Sequence, residues 1–139
     1  MKLLAAFVLA LYSVLPAQER QGCTTYGTGL NTAQILCPFE VRIGRLVPLQ
    51  VFYNIEEEPA TGFCFFGLRN DFVQTPIGTI LIEPLGILGV GYGLGICSIG
   101  IDVPNDPGLV SNIFFLQWVV FGQFAPFYLS NGGVYDVRR

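Results

Sequence analysis

Histidine is absent from this chain of 139 residues. That removes the commonest general base and the commonest metal ligand. Charge is scarce too: Asp, Glu, Lys and Arg make up 12 % of the sequence, against roughly 25 % in an ordinary soluble domain. The only lysine is Lys2, and the arginines Arg20, Arg42, Arg45, Arg69, Arg138 and Arg139 are scattered. Without a basic stripe, the electrostatic footprint of nucleic-acid binding is missing. Ser98, Ser111 and Ser130 have neither a histidine partner nor a GxSxG context. There is no Asn-x-Ser/Thr acceptor for glycosylation.

What the chain does have is apolar residues and turn formers. Hydrophobic residues reach 52 %, with 17 glycines and 9 prolines. These breakers suit a turn-rich β protein rather than long helices. The length suits one domain.

Met1 to about Ala17 has the layout of a secretory signal peptide. Lys2 is the positive start, Leu3–Leu15 the apolar stretch, and Leu15-Pro16-Ala17 a small-residue exit before Gln18. The stretch is short of the roughly 20 residues that a spanning helix needs. Its removal leaves six arginines against ten acids and no lysine.

Export changes the meaning of Cys23, Cys37, Cys64 and Cys97. An even count in an exported domain favours two disulfides. The spacing lacks the CxxC pairs of zinc sites. Three connectivities are open, and the favoured one ties Cys23 or Cys37 to Cys97, fastening the N-terminal segment to the body.

Residues 18–34 look like an irregular leader, and 35–139 like the domain itself. Ile35–Val41 is a short strand candidate broken by Pro38. In Leu46–Tyr53, Val47, Leu49, Val51 and Tyr53 alternate with Pro48, Gln50 and Phe52, the period of a half-buried strand. The adjacent acids Glu56, Glu57 and Glu58 suggest a solvated loop, since calcium loops space their acids. Thr61–Leu68 and Thr79–Glu83 are further strands, with a turn at Arg69-Asn70-Asp71. Leu85–Gly95 is glycine-rich. No lysine or helix follows it, so it is not a phosphate loop; it is a long loop, or a flat strand closely approached by another backbone. Ile96–Val103 alternates like a strand. Pro104–Gly108 is a turn in which Asp102 and Asp106 serve as flanking turn residues. Asn112–Phe121 is the longest strand, with Phe114, Leu116, Trp118 and Val120 on one face. Ile113, Phe115, Gln117, Val119 and Phe121 are on the other. Phe124–Leu129 is apolar, Asn131-Gly132-Gly133 a turn, and Val134–Val137 a last short strand.

Two segments without charge, Leu85–Ile101 and Pro107–Tyr135, are long enough to be membrane helices. Their glycines, Pro126 and β-branched residues argue for strands instead, and no basic residues flank them.

Several motifs occur in a characteristic order: Tyr26-Gly27-Thr28-Gly29, Gly95-Ile96-Cys97, the IDVPNDPGLV turn from Ile101 to Val110, Gln117-Trp118, and Leu129-Ser130-Asn131-Gly132. In these the chain resembles a class of planctomycete-type exported β-sandwich modules of unknown function. Leu30 stands where that pattern has a cysteine, with Cys23 upstream. The resemblance implies a fold and an extracellular or envelope location; it implies no activity.

The expectation is therefore an all-β, two-sheet antiparallel β-sandwich of the immunoglobulin or fibronectin-III kind, with seven or eight strands behind a signal-peptide helix. It is expected to be a non-catalytic structural or interaction module. The candidate surface is Phe115, Gln117, Trp118, Val119 and Phe121, because one face of that strand must look outward unless the leader or the glycine-rich loop covers it. Expected partners are a second copy or other envelope proteins. The alternative is a carbohydrate-binding module whose stacking platform draws on Trp118, Tyr53, Tyr92, Tyr128 and Tyr135. No cofactor, metal or catalytic residue is assigned. The membrane is met only through the signal segment.

Overall fold

A computed structural model describes residues 23–27, 31–37, 40–53, 59–122 and 127–139. The expected signal segment, the acidic loop at Glu56–Glu58, and Phe124 lie outside the described residues. The strands are β1 Cys23–Tyr26, β2 Gln34–Leu36, β3 Leu46–Phe52, β4 Ala60–Gly67, β5 Asn70–Thr75, β6 Gly78–Ile82, β7 Gly86–Gly93, β8 Ile96–Asp102, β9 Ile113–Gly122 and β10 Phe127–Asp136. A short 3-10 turn, Pro107–Leu109, precedes β9. The protein is all-β, its named strands pair antiparallel throughout, and the arrangement is compatible with a β-sandwich.

The larger sheet has the order β1-β10-β9-β4-β7, the smaller β2-β3-β8, and β5-β6 forms a separate hairpin. Alternation explains how the two sheets meet. Val47, Leu49 and Val51 of β3 are buried while Leu46, Pro48 and Phe52 are exposed. In β8, Cys97, Ile99 and Ile101 turn inward, opposite Val51, Leu49 and Val47. The inner face of the larger sheet supplies Cys64, Leu116, Trp118, Val120 and Tyr135 to the same core. Trp118 packs against Gly62, where an added Cβ would sit 2.9 Å from the indole and 3.0 Å from the Cys97 Cβ.

The glycine-rich segment is a flat strand with a close backbone neighbour. A Cβ on Gly91 would meet the Ser98 carbonyl oxygen at 2.6 Å, and one on Gly93 would collide with that of Ile96. These glycines let β7 and β8 press together where the chain passes from one sheet to the other. The described residues of both segments weighed as membrane helices fall mainly in strands instead, β7 and β8 in one and β9 and β10 in the other. Among the described residues no helix is long and apolar enough to cross a membrane.

Four sequence expectations are corrected. The leader is not wholly irregular, because β1 adds to the larger sheet through its register with β10. Asn70 and Asp71, expected in a turn with Arg69, open the strand Asn70–Thr75. Asn131-Gly132-Gly133 is not a turn but part of β10, which carries a bulge between Leu129 and Gly132. Turn chemistry misleads there because the glycines answer to packing: the rings of Tyr26 and Tyr135 occupy the space their side chains would need. Finally, Cys23 pairs with Cys37, not with Cys97, and Cys64 and Cys97 are free and buried. Cys97 points between the sheets from β8, whereas Cys23 follows the core edge beside Tyr135.

The disulfide closes a short loop, with 14 residues of separation. Its reduction is expected to lower stability by about 3 kcal/mol on chain-entropy grounds, measured as urea midpoints with and without reductant. Thiol titration of unreduced protein should find Cys64 and Cys97 only after unfolding.

Candidate functional site

The site question turns on the two faces of β9. Trp118 is 0 % exposed and Leu116 and Val120 are equally buried, so from Leu116 to Val120 this face belongs to the core. The opposite face carries Phe115, Gln117, Val119 and Phe121. Of the expected surface residues, Gln117 and Trp118 are therefore buried, and Phe115, Val119 and Phe121 are half-buried.

Among the described residues, part of that second face is covered by the β5–β6 hairpin rather than by the leader alone or the glycine-rich segment, and side-chain amides hold it there. Gln117 Oε1 accepts from the Leu81 N–H at 2.9 Å, while its Nε2 donates to Thr79 O at 2.8 Å and Ser130 O at 2.9 Å. Asn31 repeats the pattern: Oδ1 accepts from the Thr79 N–H at 2.7 Å, and Nδ2 donates to Thr79 O and Ser130 O, each at 2.8 Å. The Tyr26 hydroxyl donates to Leu81 O. One edge of β6 thus bonds to three side chains instead of to a neighbouring strand. Backbone groups removed from water need such partners. The bulge in β10 serves the same assembly. Ser130 Oγ accepts from the Trp118 N–H at 2.8 Å, and Asn131 Oδ1 accepts from the Ile35 N–H at 2.7 Å.

The hairpin covers part of the face. Tyr26 packs edge-on against Phe115 at 6.2 Å between ring centroids. Val119 lies in a crevice with Phe65, Ile77, Ile80 and Leu129. Beyond it, none of the described residues covers the face. Phe121 meets Phe63 edge-on at 5.2 Å and Phe127 at 4.3 Å. Register carries this apolar strip onto the sheet edge, since Phe63 pairs with Val90 and Thr61 with Tyr92. Ile87 is 50 %, Val90 55 %, Tyr92 71 % and Phe127 47 % exposed. The strip crosses β10, β9, β4 and β7, and β7 is the last strand of its sheet.

Of the expected surface residues, Phe121 alone takes part in the open strip. Phe63, Val90 and Phe127 figure in no sequence expectation, and Tyr92 only in the carbohydrate alternative. A signal was present in β7, where Gly89, Gly91 and Gly93 alternate with Val90 and Tyr92: one face lacks side chains and the other is apolar. The aromatics weighed for stacking fare unevenly. Trp118, Tyr53 and Tyr135 are buried, Tyr128 is half-buried, and Tyr92 is exposed. Asp106 acts as a turn residue, accepting from the Gly108 N–H at 2.9 Å. Burial raises the pKa of both free thiols, Cys64 and Cys97, which keeps them protonated and unreactive. No protein-family model and no curated protein matches the chain.

Replacing Gln117 with Ala strands the Leu81 N–H, whereas Thr79 O and Ser130 O retain Asn31. The expected loss is about 1–3 kcal/mol in urea unfolding. The Asn31→Ala, Gln117→Ala pair should lose more than the sum of the single changes, because the shared carbonyls then have neither donor.

A second expectation concerns pH. Burial pushes the Tyr26 phenol up to about 12 from its ordinary 10.0. Burial likewise raises Tyr53, Tyr135, Cys64 and Cys97. The folded state holds these protons more tightly than the unfolded state. Their contribution is therefore complete below the ordinary thiol and phenol values of 9.0 and 10.0 and is lost as pH rises through that range toward 12. Urea midpoints should be flat on the acid side of this window and fall across it, less steeply in Tyr26→Phe.

Proposed function

We propose that the chain is an exported, non-catalytic interaction module of the cell envelope or extracellular space, a two-sheet sandwich of the immunoglobulin or fibronectin-III kind. It self-associates through the open face of its larger sheet. The carrying observation is the apolar strip Phe127–Phe121–Phe63–Val90–Tyr92, which ends on the edge strand β7. The expected signal segment and the resemblance to exported modules support the location.

Two physical features favour self-association. Edge strands are ordinarily blunted by charge, proline or a covering element. From Leu85 to Ile101 there is no charged residue and no proline, and among the described residues no strand pairs with the outer edge of β7. A second copy brings an identical unpaired edge, so antiparallel β7–β7 pairing satisfies both and closes with two-fold symmetry. The pairing also makes the two aromatic strips continuous. Burying a side chain the size of Val90 contributes about 1.5–3 kcal/mol, and the strip offers several such groups on each copy.

Sedimentation velocity over a concentration series tests this. The wild-type protein should associate reversibly, and Val90→Lys combined with Tyr92→Lys should be monomeric with an unchanged urea midpoint, since both side chains face solvent. A wild-type monomer at the highest concentration would refute the reading. A glycan-array hit abolished by Tyr92→Ala would favour the carbohydrate alternative instead.

A further inference from the structure

The larger and smaller sheets both line an open cleft at the end opposite the β7–β8 turn. A cleft of about 680 Å³ lies there, within the 300–1,000 Å³ typical of small-molecule sites. Its floor is fully built: Val41, Val103 and Val137 are buried. Its walls are the half-buried Phe66 of β4, Ile101 of β8, Phe114 of β9, and Leu109 from the 3-10 turn. Leu68 and Ile113, both largely exposed, stand at the rim. Each wall residue packs against the core, yet none of the described residues fills the space among them. Protein interiors are otherwise close-packed. An apolar concavity of this size is therefore a place where a ligand gains what the core lacks.

The polar lining narrows the ligand. Among the described lining residues, Asp102 is the only ionisable one and Asn112 the only other with a polar side chain. The Asn112 amide nitrogen already donates to Gly108 O at 3.2 Å, leaving its carbonyl oxygen as an acceptor. Pro104 contributes no N–H, and the Asn112 N–H is taken by Leu109 O at 3.1 Å. The mouth thus offers acceptors and one negative charge, with no cation among the lining residues. An anionic head group would meet repulsion there, and a hydrogen-bond donor would be matched.

We infer that this cleft binds a single elongated aliphatic ligand with a neutral or cationic hydrogen-bond-donating head group, of the class of long-chain alcohols and amines. The site is distinct from the self-association strip: it lies between the sheets, whereas the strip lies on the outer face.

The test is an NMR titration of the purified protein with decanol, decylamine and decanoate, following the Ile101, Leu109 and Phe114 signals. Decanol and decylamine should shift these saturably while Phe63 and Phe121 stay in place. Decanoate should bind roughly fivefold more weakly, and Asp102→Asn should remove most of that gap. Ile113→Glu, at an exposed rim position, should weaken decanol about tenfold without altering the fold. Several results would overturn the inference: no saturable shift, shifts confined to the Phe63–Phe121 face, equal affinity for decanoate, or a gap that survives Asp102→Asn. Concentration-dependent shifts at Leu109 and Phe114 without ligand, undisplaced by decanol, would assign the cleft to a second copy and equally overturn it.

Discussion

The buried carboxamide of Gln117 governs how this chain arranges its layers. β9 is apolar on both faces, and the smaller sheet covers only one of them. The second face is covered by β5–β6, a hairpin too short to be stable by itself in water. Apolar contact alone would leave that hairpin free to slide. Gln117 and Asn31 prevent this by treating one edge of β6 as if another strand lay beside it, with an acceptor for each N–H and donors for the Thr79 carbonyl. Such networks stabilise when complete and cost heavily when one member is missing. Here the bulge of β10 places the Ser130 carbonyl within reach of both amides.

That arrangement explains why the exposed apolar surface lies where it does. The hairpin reaches as far as Val119 and stops, leaving Phe121, Phe63 and Phe127 to pack against one another. The strip then continues across register pairs to β7, whose inner face is glycine because β8 lies against it. Close approach on one side and exposure on the other are thus linked. A bulkier inner residue at Gly91 or Gly93 would force the sheets apart at their shared corner, and the edge would no longer be held flat for pairing.

At the far end the same two sheets line the cleft. The Pro104–Gly108 turn, closed by Asp106, carries Leu109 over the gap without filling it. The two apolar surfaces therefore have different origins. One is a face left uncovered by a short hairpin. The other is a cleft that the described residues leave between the two sheets.

Strand positions were largely legible along the chain, because alternation is local: Val47, Leu49 and Val51, or Cys97, Ile99 and Ile101, need no knowledge of their partners to reveal an inner face. The doubly apolar character of Asn112–Phe121 was also visible, as was the isolation of Gln117 within it. The all-β class follows from those patterns together with the glycines and prolines. Matters of partnership were not legible. Alternation says that Trp118 and Phe115 point opposite ways but not which way is inward; that depends on which sheet arrives, a contact between residues far apart in sequence. The choice of Cys37 over Cys97 for Cys23, the placing of Gly132 and Gly133 inside a strand, and the role of Gln117 as a bridge all depend on such contacts. Local periodicity specifies elements, whereas burial, pairing and the surfaces left open arise only when distant strands compete to cover the same apolar faces.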